Sequence, residues 1–311
     1  MKIGLIDLDN TNKFPNLALM KISAYHKNKG DEVEWYKPLN TGYDLVYVSK
    51  VFSWSKDYPY AINAKQVIYG GVGYGLENKL EDEIEHHYPD YSIYPYIKNT
   101  AYGFLTRGCP RQCAFCNVTK QQGTISHKVA NLSEFWQGQR EIKLLDPNIL
   151  AAKDWKELFK QLIESGAQID FTQGLDIRLM DQEKADYINK MKIKKIHFAW
   201  DQYDHSIYEK LKEVRKWLKH ESRQLRVYML VGYNTSFEQD LDRVYKLREM
   251  DYSPYVMRFK NYDCKNLKLP RGHILNKLAR WANNATAWFS SKTFEEYLKK
   301  SQGGIIENKN L

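Results

Sequence analysis

Short apolar runs alternate with amphipathic stretches along most of the chain, and the alternation falls into two series. In the first, Lys2–Leu8 reads as a buried strand. Leu17–Asn28 reads as a helix, with Leu17, Met20, Ala24 and Tyr25 apolar, and it stops at Gly30. Glu32–Tyr36, Asp44–Val51 and Gln66–Tyr69 read as further strands, the last running into Gly70-Gly71. Strand–helix alternation of this kind predicts a parallel α/β sheet. Pro89, Pro95 and a tyrosine-rich stretch then mark a linker.

From Tyr102 a second, more regular series begins. The pattern predicts strands at 102–106, 141–145, 168–172, 194–200, 225–231 and 254–260. Helices are predicted near 151–165, 181–191, 205–220 and 236–250, with a longer, less regular loop and helix over 107–137. Six βα units of this spacing predict a partial (β/α)6 barrel rather than an open sheet, and in barrels the chemistry sits at the C-terminal strand ends. The tail, 272–300, reads as helical.

Charge adds an asymmetry to this picture. The 311 residues carry 47 Lys and Arg against 38 Asp and Glu, a net of +9. Residues 1–98 hold 11 basic and 13 acidic side chains, whereas 184–226 hold 12 and 6, and 252–280 hold 7 and 1. A basic second half invites a polyanionic partner, such as nucleic acid, a phosphorylated substrate or an acidic protein. Solvated helix faces are the competing reading.

Only four cysteines are present, and three of them, Cys109, Cys113 and Cys116, fall within eight residues; the fourth is Cys264. A disulfide framework would spread and pair its cysteines. The chain opens on a predicted strand and not on a signal peptide, and no run approaches the ~18 apolar residues of a membrane span. The expectation is a cytoplasmic protein with no membrane partner, whose thiols stay reduced and can bind metal.

The cysteine segment reads Leu105-Thr106-Arg107-Gly108-Cys109-Pro110-Arg111-Gln112-Cys113-Ala114-Phe115-Cys116-Asn117, in the loop after the first strand of the second series. Soft thiolates suit iron–sulfur clusters and zinc. A zinc site would draw on His127 as its fourth ligand; a redox dithiol would explain two cysteines and leave the third. The Cys-x3-Cys-x2-Cys spacing, with an aromatic before the third cysteine, resembles the signature of the radical S-adenosylmethionine (SAM) superfamily. That resemblance implies a 4Fe–4S cluster on Cys109, Cys113 and Cys116, with the fourth iron open to chelate SAM, and Phe115 near the adenine.

The resemblance also points to the other strand ends. Asp146 stands where the family has an acid that binds the SAM amino group, although the two glycines usual there are absent; helix capping is the alternative. Arg178 is placed to pair with the SAM carboxylate, or with Asp176 in a structural ion pair. Asp201 falls where the family often binds the ribose, and Gly232 ends a strand resembling the family's adenine-binding strand. His197 reads as a packed strand residue, and Cys264 as a bystander.

The first series resembles the cobalamin-binding-like Rossmann module that precedes many radical SAM barrels. Ser49-Lys50-Val51 and Gly70-Gly71 stand where that module has Ser-x-Leu and Gly-Gly. Its lower-ligand motif, Asp-x-His-x-x-Gly, is replaced by Asp7-Leu8-Asp9-Asn10-Thr11-Asn12, and His26, His86 and His87 lack that context. Cobalamin held by a histidine is therefore not expected. The absence of cysteine from this part also disfavours the methylthiotransferase subclass.

The expected domains are 1–98, a cobalamin-binding-like Rossmann domain without cobalamin; 99–265, the partial barrel; and 266–311, a helical extension. The resemblance implies reductive cleavage of SAM to methionine and a 5′-deoxyadenosyl radical, which takes a hydrogen atom from substrate. In one version the basic half guides a nucleic acid or nucleotide. In another the substrate is a small molecule or peptide, and the basic surface docks a flavodoxin or ferredoxin-type electron donor. A non-catalytic iron–sulfur or zinc module that binds nucleic acid is the reading from a different class.

Overall fold

The computed structural model describes residues 1–10, 14–259, 269, 270 and 272–307. Cys264 lies outside the described residues. Two compact units divide the chain, Met1–Gln168 and Ile169–Leu311, and each is described by itself.

The first unit opens with β1 (Lys2–Asp7), α1 (Leu17–Asn28), β2 (Glu32–Trp35), β3 (Tyr43–Ser49) and β4 (Ala64–Gly70). The helix starts where the Asn16 side chain accepts from the Leu19 backbone N–H, which satisfies one of the free donors of the first turn. The four strands form one parallel sheet in the order β2-β1-β3-β4. Ile3, Leu5, Leu19, Ile22 and Leu45 make the core on the side of α1, and Ile6, Tyr43, Val46 and Val48 make the other.

The strand order reverses between β1 and β3, and in open parallel sheets such a switch point leaves a crevice at the C-terminal strand ends. Here it is filled from within. Tyr94 donates its hydroxyl to Asp7 at 2.6 Å, and the Asn16 amide donates to the Ser49 hydroxyl at 2.7 Å. Burial pushes the Asp7 carboxyl up against the pull of that tyrosine. His26 is buried with both ring nitrogens engaged, by Asp31 at 2.7 Å and the Tyr47 hydroxyl at 3.0 Å.

After a short helix α2 (Asp82–Glu85) come β5 (Thr100–Gly103), β6 (Thr106–Arg107), α3 (Val118–Gln122), β7 (His127–Lys128), β8 (Glu141–Leu144), α4 (Trp155–Ser165) and β9 (Gln168–Phe171). The second unit continues with α5 (Gln182–Asn189), β10 (Lys192–Ala199), α6 (His205–Trp217), β11 (Leu225–Val231), α7 (Phe237–Glu249), β12 (Ser253–Arg258), α8 (Ile274–Asn283), α9 (Ala285–Ser290) and α10 (Phe294–Glu307). The long strands form one six-stranded sheet in the order β12-β11-β10-β9-β8-β5. That order is consecutive, with no switch point, as a βα barrel requires and a doubly wound sheet does not.

In the second unit, residues alternate cleanly along β11, where Leu225, Val227, Met229 and Val231 are buried. Ser236 and Gln239 cap α7 reciprocally, and Val244 and Leu247 bury its apolar stripe. One polar pair lies inside this packing. Asp240 and Arg243 are both fully buried and 2.6 Å apart. Arg243 also donates to the carbonyls of Trp200 and Leu230, and Asp240 accepts from the Gly232 N–H at 3.0 Å. One helix thus ties the C-terminal ends of β10 and β11 together. No helix among the described residues is long and apolar enough to cross a membrane.

Removing one partner of a buried pair strands the other charge without water. Arg243→Met is expected to cost about 3–5 kcal/mol, seen as a lowered urea midpoint of the purified chain. An unchanged midpoint would show that the pair contributes nothing net.

Candidate functional site

The predicted strand 102–106 ends early, at Gly103, and the reason lies in the next turn of chain. The N–H groups of Leu105 and Thr106 leave the sheet and donate to the Asp146 carboxylate, at 3.1 Å and 2.5 Å, and the Thr106 hydroxyl adds a third donor at 2.6 Å. Asp146 follows β8 and is buried. It therefore neither caps a helix nor leaves an oxygen without a donor; it turns the strand end into the start of the cysteine loop.

The loop is closed at its base by β6 pairing antiparallel with β7, Arg107 opposite His127. Gly108 has φ +85°, and a Cβ there would stand 2.1 Å from the Ile125 carbonyl oxygen. Only glycine takes that backbone without strain. Cys109 then donates its N–H to Gly123 O at 3.2 Å, and Cys116 closes a turn onto Cys113 O at 2.9 Å. The helix α3 starts directly after Cys116 and stops at Gly123. Arg107 lies over the Phe104 ring at 3.8 Å and reaches Glu85 at 3.2 Å, which fixes the entry to the loop.

Cys109, Cys113 and Cys116 are all half-buried. Asn148, itself buried, donates its amide to Cys109 Sγ at 3.5 Å. Ser126 donates its hydroxyl to the Asn148 carbonyl at 2.8 Å and so steadies that segment. Neither residue is marked by any motif; the only signal for Asn148 is its place two residues after Asp146 at a strand end. Phe115 is half-buried within the loop.

Three soft donors on one short loop, reduced and with an N–H donor on one sulfur, fit thiolate ligation of iron. Among the described residues, no three His, Cys, Asp or Glu groups converge as a single metal ion would require. A four-iron cluster makes a different demand, because each cysteine binds its own iron. His127, the candidate fourth zinc ligand, is exposed, with Nδ1 on Ile125 O at 3.0 Å.

The remaining candidates lie in the second unit. Asp201, just past β10, accepts from the Leu230 N–H at 3.1 Å, and burial pushes its carboxyl up. Gly232 follows β11 with φ +72°, its N–H on Asp240. The buried Asp240–Arg243 pair therefore brings Asp201 and Gly232 to neighbouring strand ends. Arg178 forms the structural alternative: its Nε meets Asp176 at 2.7 Å, while Asp176 also caps the short turn Ile177–Leu179. His197 packs flat on Tyr228, 4.6 Å between ring centres, with Nδ1 on Phe171 O at 2.9 Å. A carbonyl only accepts, so Nδ1 carries the proton, and burial pushes the imidazole pKa down to about 4.

No protein-family model and no curated protein matches the sequence. The fold is similar to that of a radical S-adenosylmethionine methyltransferase, TsrM, from Kitasatospora setae, whose structure has a tryptophan substrate and a SAM analogue bound. The TM-score is 0.63 over 82% of this chain and 72% of that one, at 12% sequence identity. The chain shares the fold of that structure, and its first four strands form a Rossmann-like parallel sheet.

Asp146 carries a pH signature. Burial, opposed by the Thr106 and Leu105 donors, holds its carboxyl up at about 6 from an ordinary 3.8. A group raised on folding favours the folded state below its unfolded pKa, and that advantage is lost as pH rises through the folded value. Relative to Asp146→Asn, the wild type is expected to lose roughly 3 kcal/mol between about pH 4 and about pH 6.5, with no further change above. Urea titrations across that range check this, and a constant difference would mean the donors keep the carboxylate ionised throughout.

Proposed function

We propose that the chain is a radical SAM enzyme in which Cys109, Cys113 and Cys116 hold a 4Fe–4S cluster. The observation that carries this reading is the Cys-x3-Cys-x2-Cys loop after the first strand of a six-stranded parallel βα sheet with a radical SAM fold. When bound and reduced, the cluster supplies one electron to the sulfonium of SAM and so releases a 5′-deoxyadenosyl radical that removes hydrogen from substrate.

The protein's own residues bind and position. Asp146 holds the root of the cysteine loop. Asn148 donates to a cysteine sulfur, an arrangement that favours the more negative, reduced state of a bound cluster. Asp201 is the acceptor proposed for the ribose hydroxyls, and the backbone at Gly232 the seat of the adenine. Arg178 is the proposed partner of the SAM carboxylate, released from Asp176 on binding. Phe115 lines the adenine side. Electrons come from a flavodoxin or ferredoxin-type donor in the cytoplasm, and no cobalamin held by a histidine is required.

For the substrate, the concentration of basic residues in the second half favours a nucleotide or nucleic acid. A small-molecule substrate is the second reading, since the structurally similar methyltransferase has tryptophan bound.

Anaerobic reconstitution is expected to give a brown protein absorbing near ~400 nm, from thiolate-to-iron charge transfer. With SAM and a strong reductant it should form 5′-deoxyadenosine. Cys113→Ala is expected to abolish both the absorbance and the product. An intact cluster in that variant would refute the ligand set, and a colourless wild type carrying zinc would establish the metal-binding module instead.

A further inference from the structure

Beyond the cysteine loop, the second unit has an open cleft of about 320 Å3 lined by Arg258, Asn276, Ala279 and Arg280. Its size is at the lower end of ligand sites, roughly 300–1,000 Å3. Arg258 is the last residue of β12 and pairs in register with Val231, one residue before Gly232. Arg280 and Asn276 lie one turn apart on α8, with Ala279 between them leaving the wall low. The start of α8 packs close to the same strand end, since a Cβ on Gly232 would meet Leu275 Cδ1 at 2.9 Å. The cleft thus opens beside the C-terminal edge of the sheet, where chemistry is placed in barrels of this kind.

The cations in it are poised for something outside the chain. Among the described residues neither Arg258 nor Arg280 forms an ion pair. Among the described residues Arg258 gives a single hydrogen bond, to the Asn276 side-chain oxygen, and Asn276 is itself anchored through its amide to Pro270 O at 2.6 Å. A guanidinium has five N–H donors, so four of those on Arg258 are not taken up by the described residues. Two like charges facing one cleft repel, and an anion between them removes the repulsion while accepting their forked donors. A phosphate carries one negative charge as a diester and close to two as a monoester, and in either form it presents several acceptor oxygens to the forked donors of two guanidinium groups.

We propose that this cleft is the phosphate subsite for the substrate, with Arg258 and Arg280 gripping a phosphate group of a nucleotide, free or within a nucleic acid strand. This rests on the reading of the chain as a radical SAM enzyme, and deepens it by naming the substrate's chemical class.

The test is binding, without SAM or reductant, to the reconstituted full chain. The probes are inorganic phosphate, AMP and a short single-stranded RNA, measured by calorimetry at low salt. The wild type is expected to bind phosphate and at least one of the other two. Arg258→Gln/Arg280→Gln is expected to weaken binding about tenfold or more, the loss that comes from removing charge-assisted hydrogen bonds. Lys216→Gln/Lys219→Gln, an equal charge change at two exposed positions on the other basic stretch, should bind as the wild type does. AMP binding as tightly as RNA identifies a free nucleotide; RNA binding alone, with a salt slope reduced in the arginine variant, identifies a strand. The proposal is overturned if the arginine variant keeps wild-type affinity, if the lysine variant loses as much, or if no probe binds. Since 5′-deoxyadenosine formation is scored separately, a chain that binds phosphate and fails to cleave SAM keeps the subsite and loses the enzyme class, and the converse holds.

Discussion

A buried carboxylate at the end of one strand decides how the next piece of chain begins. Asp146 collects the N–H groups of Leu105 and Thr106 and the Thr106 hydroxyl, and in doing so pulls the backbone out of the sheet after Gly103. Burying a carboxylate is costly unless donors surround it, and here the donors are the backbone groups that leaving the sheet would otherwise orphan. Each need meets the other. This exchange sets the direction of the cysteine loop, the β6–β7 pairing closes it, and Gly108 makes its tightest turn.

The second unit solves a similar problem with a different pair. At the ends of β10 and β11 the carbonyls of Trp200 and Leu230 and the N–H of Gly232 would be exposed or unsatisfied in a crowded interior. Arg243 and Asp240 from α7 take them up. A buried ion pair is weak evidence for stability in itself. Its value here is positional, because it holds two adjacent strand ends, and with them Asp201 and Gly232, in one register.

Both devices leave the functional groups on loops held by rigid strands, which is how βα folds separate chemistry from scaffolding. They also explain the division of labour among polar residues. Asp146, Asp240 and Arg243 are engaged by backbone groups within the fold. Arg258 and Arg280 have no carboxylate partner among the described residues and line an open cleft, so they are the cations whose arrangement calls for a ligand.

Much of this was legible in the sequence. Period-two and helical patterns located β11 at Leu225–Val231 and α1 at Leu17–Asn28, because each is a local signal summed over several residues. The cysteine motif was legible for the same reason: its ligands lie within eight residues, and chemistry and spacing are read together. What only the tertiary structure decided are the partnerships across distance. Asp146 meets a backbone segment 40 residues earlier, so no short window of sequence contains both, and a cofactor contact or a helix cap stays open for it until the fold places it. Arg243 is one more basic residue on a helix until its burial is seen. Arg258 and Arg280 contribute only a count of positive charge. Composition fixes how many charges a chain has, whereas which of them is paired, buried or left facing a cleft depends on long-range packing that brings remote segments to the same strand end.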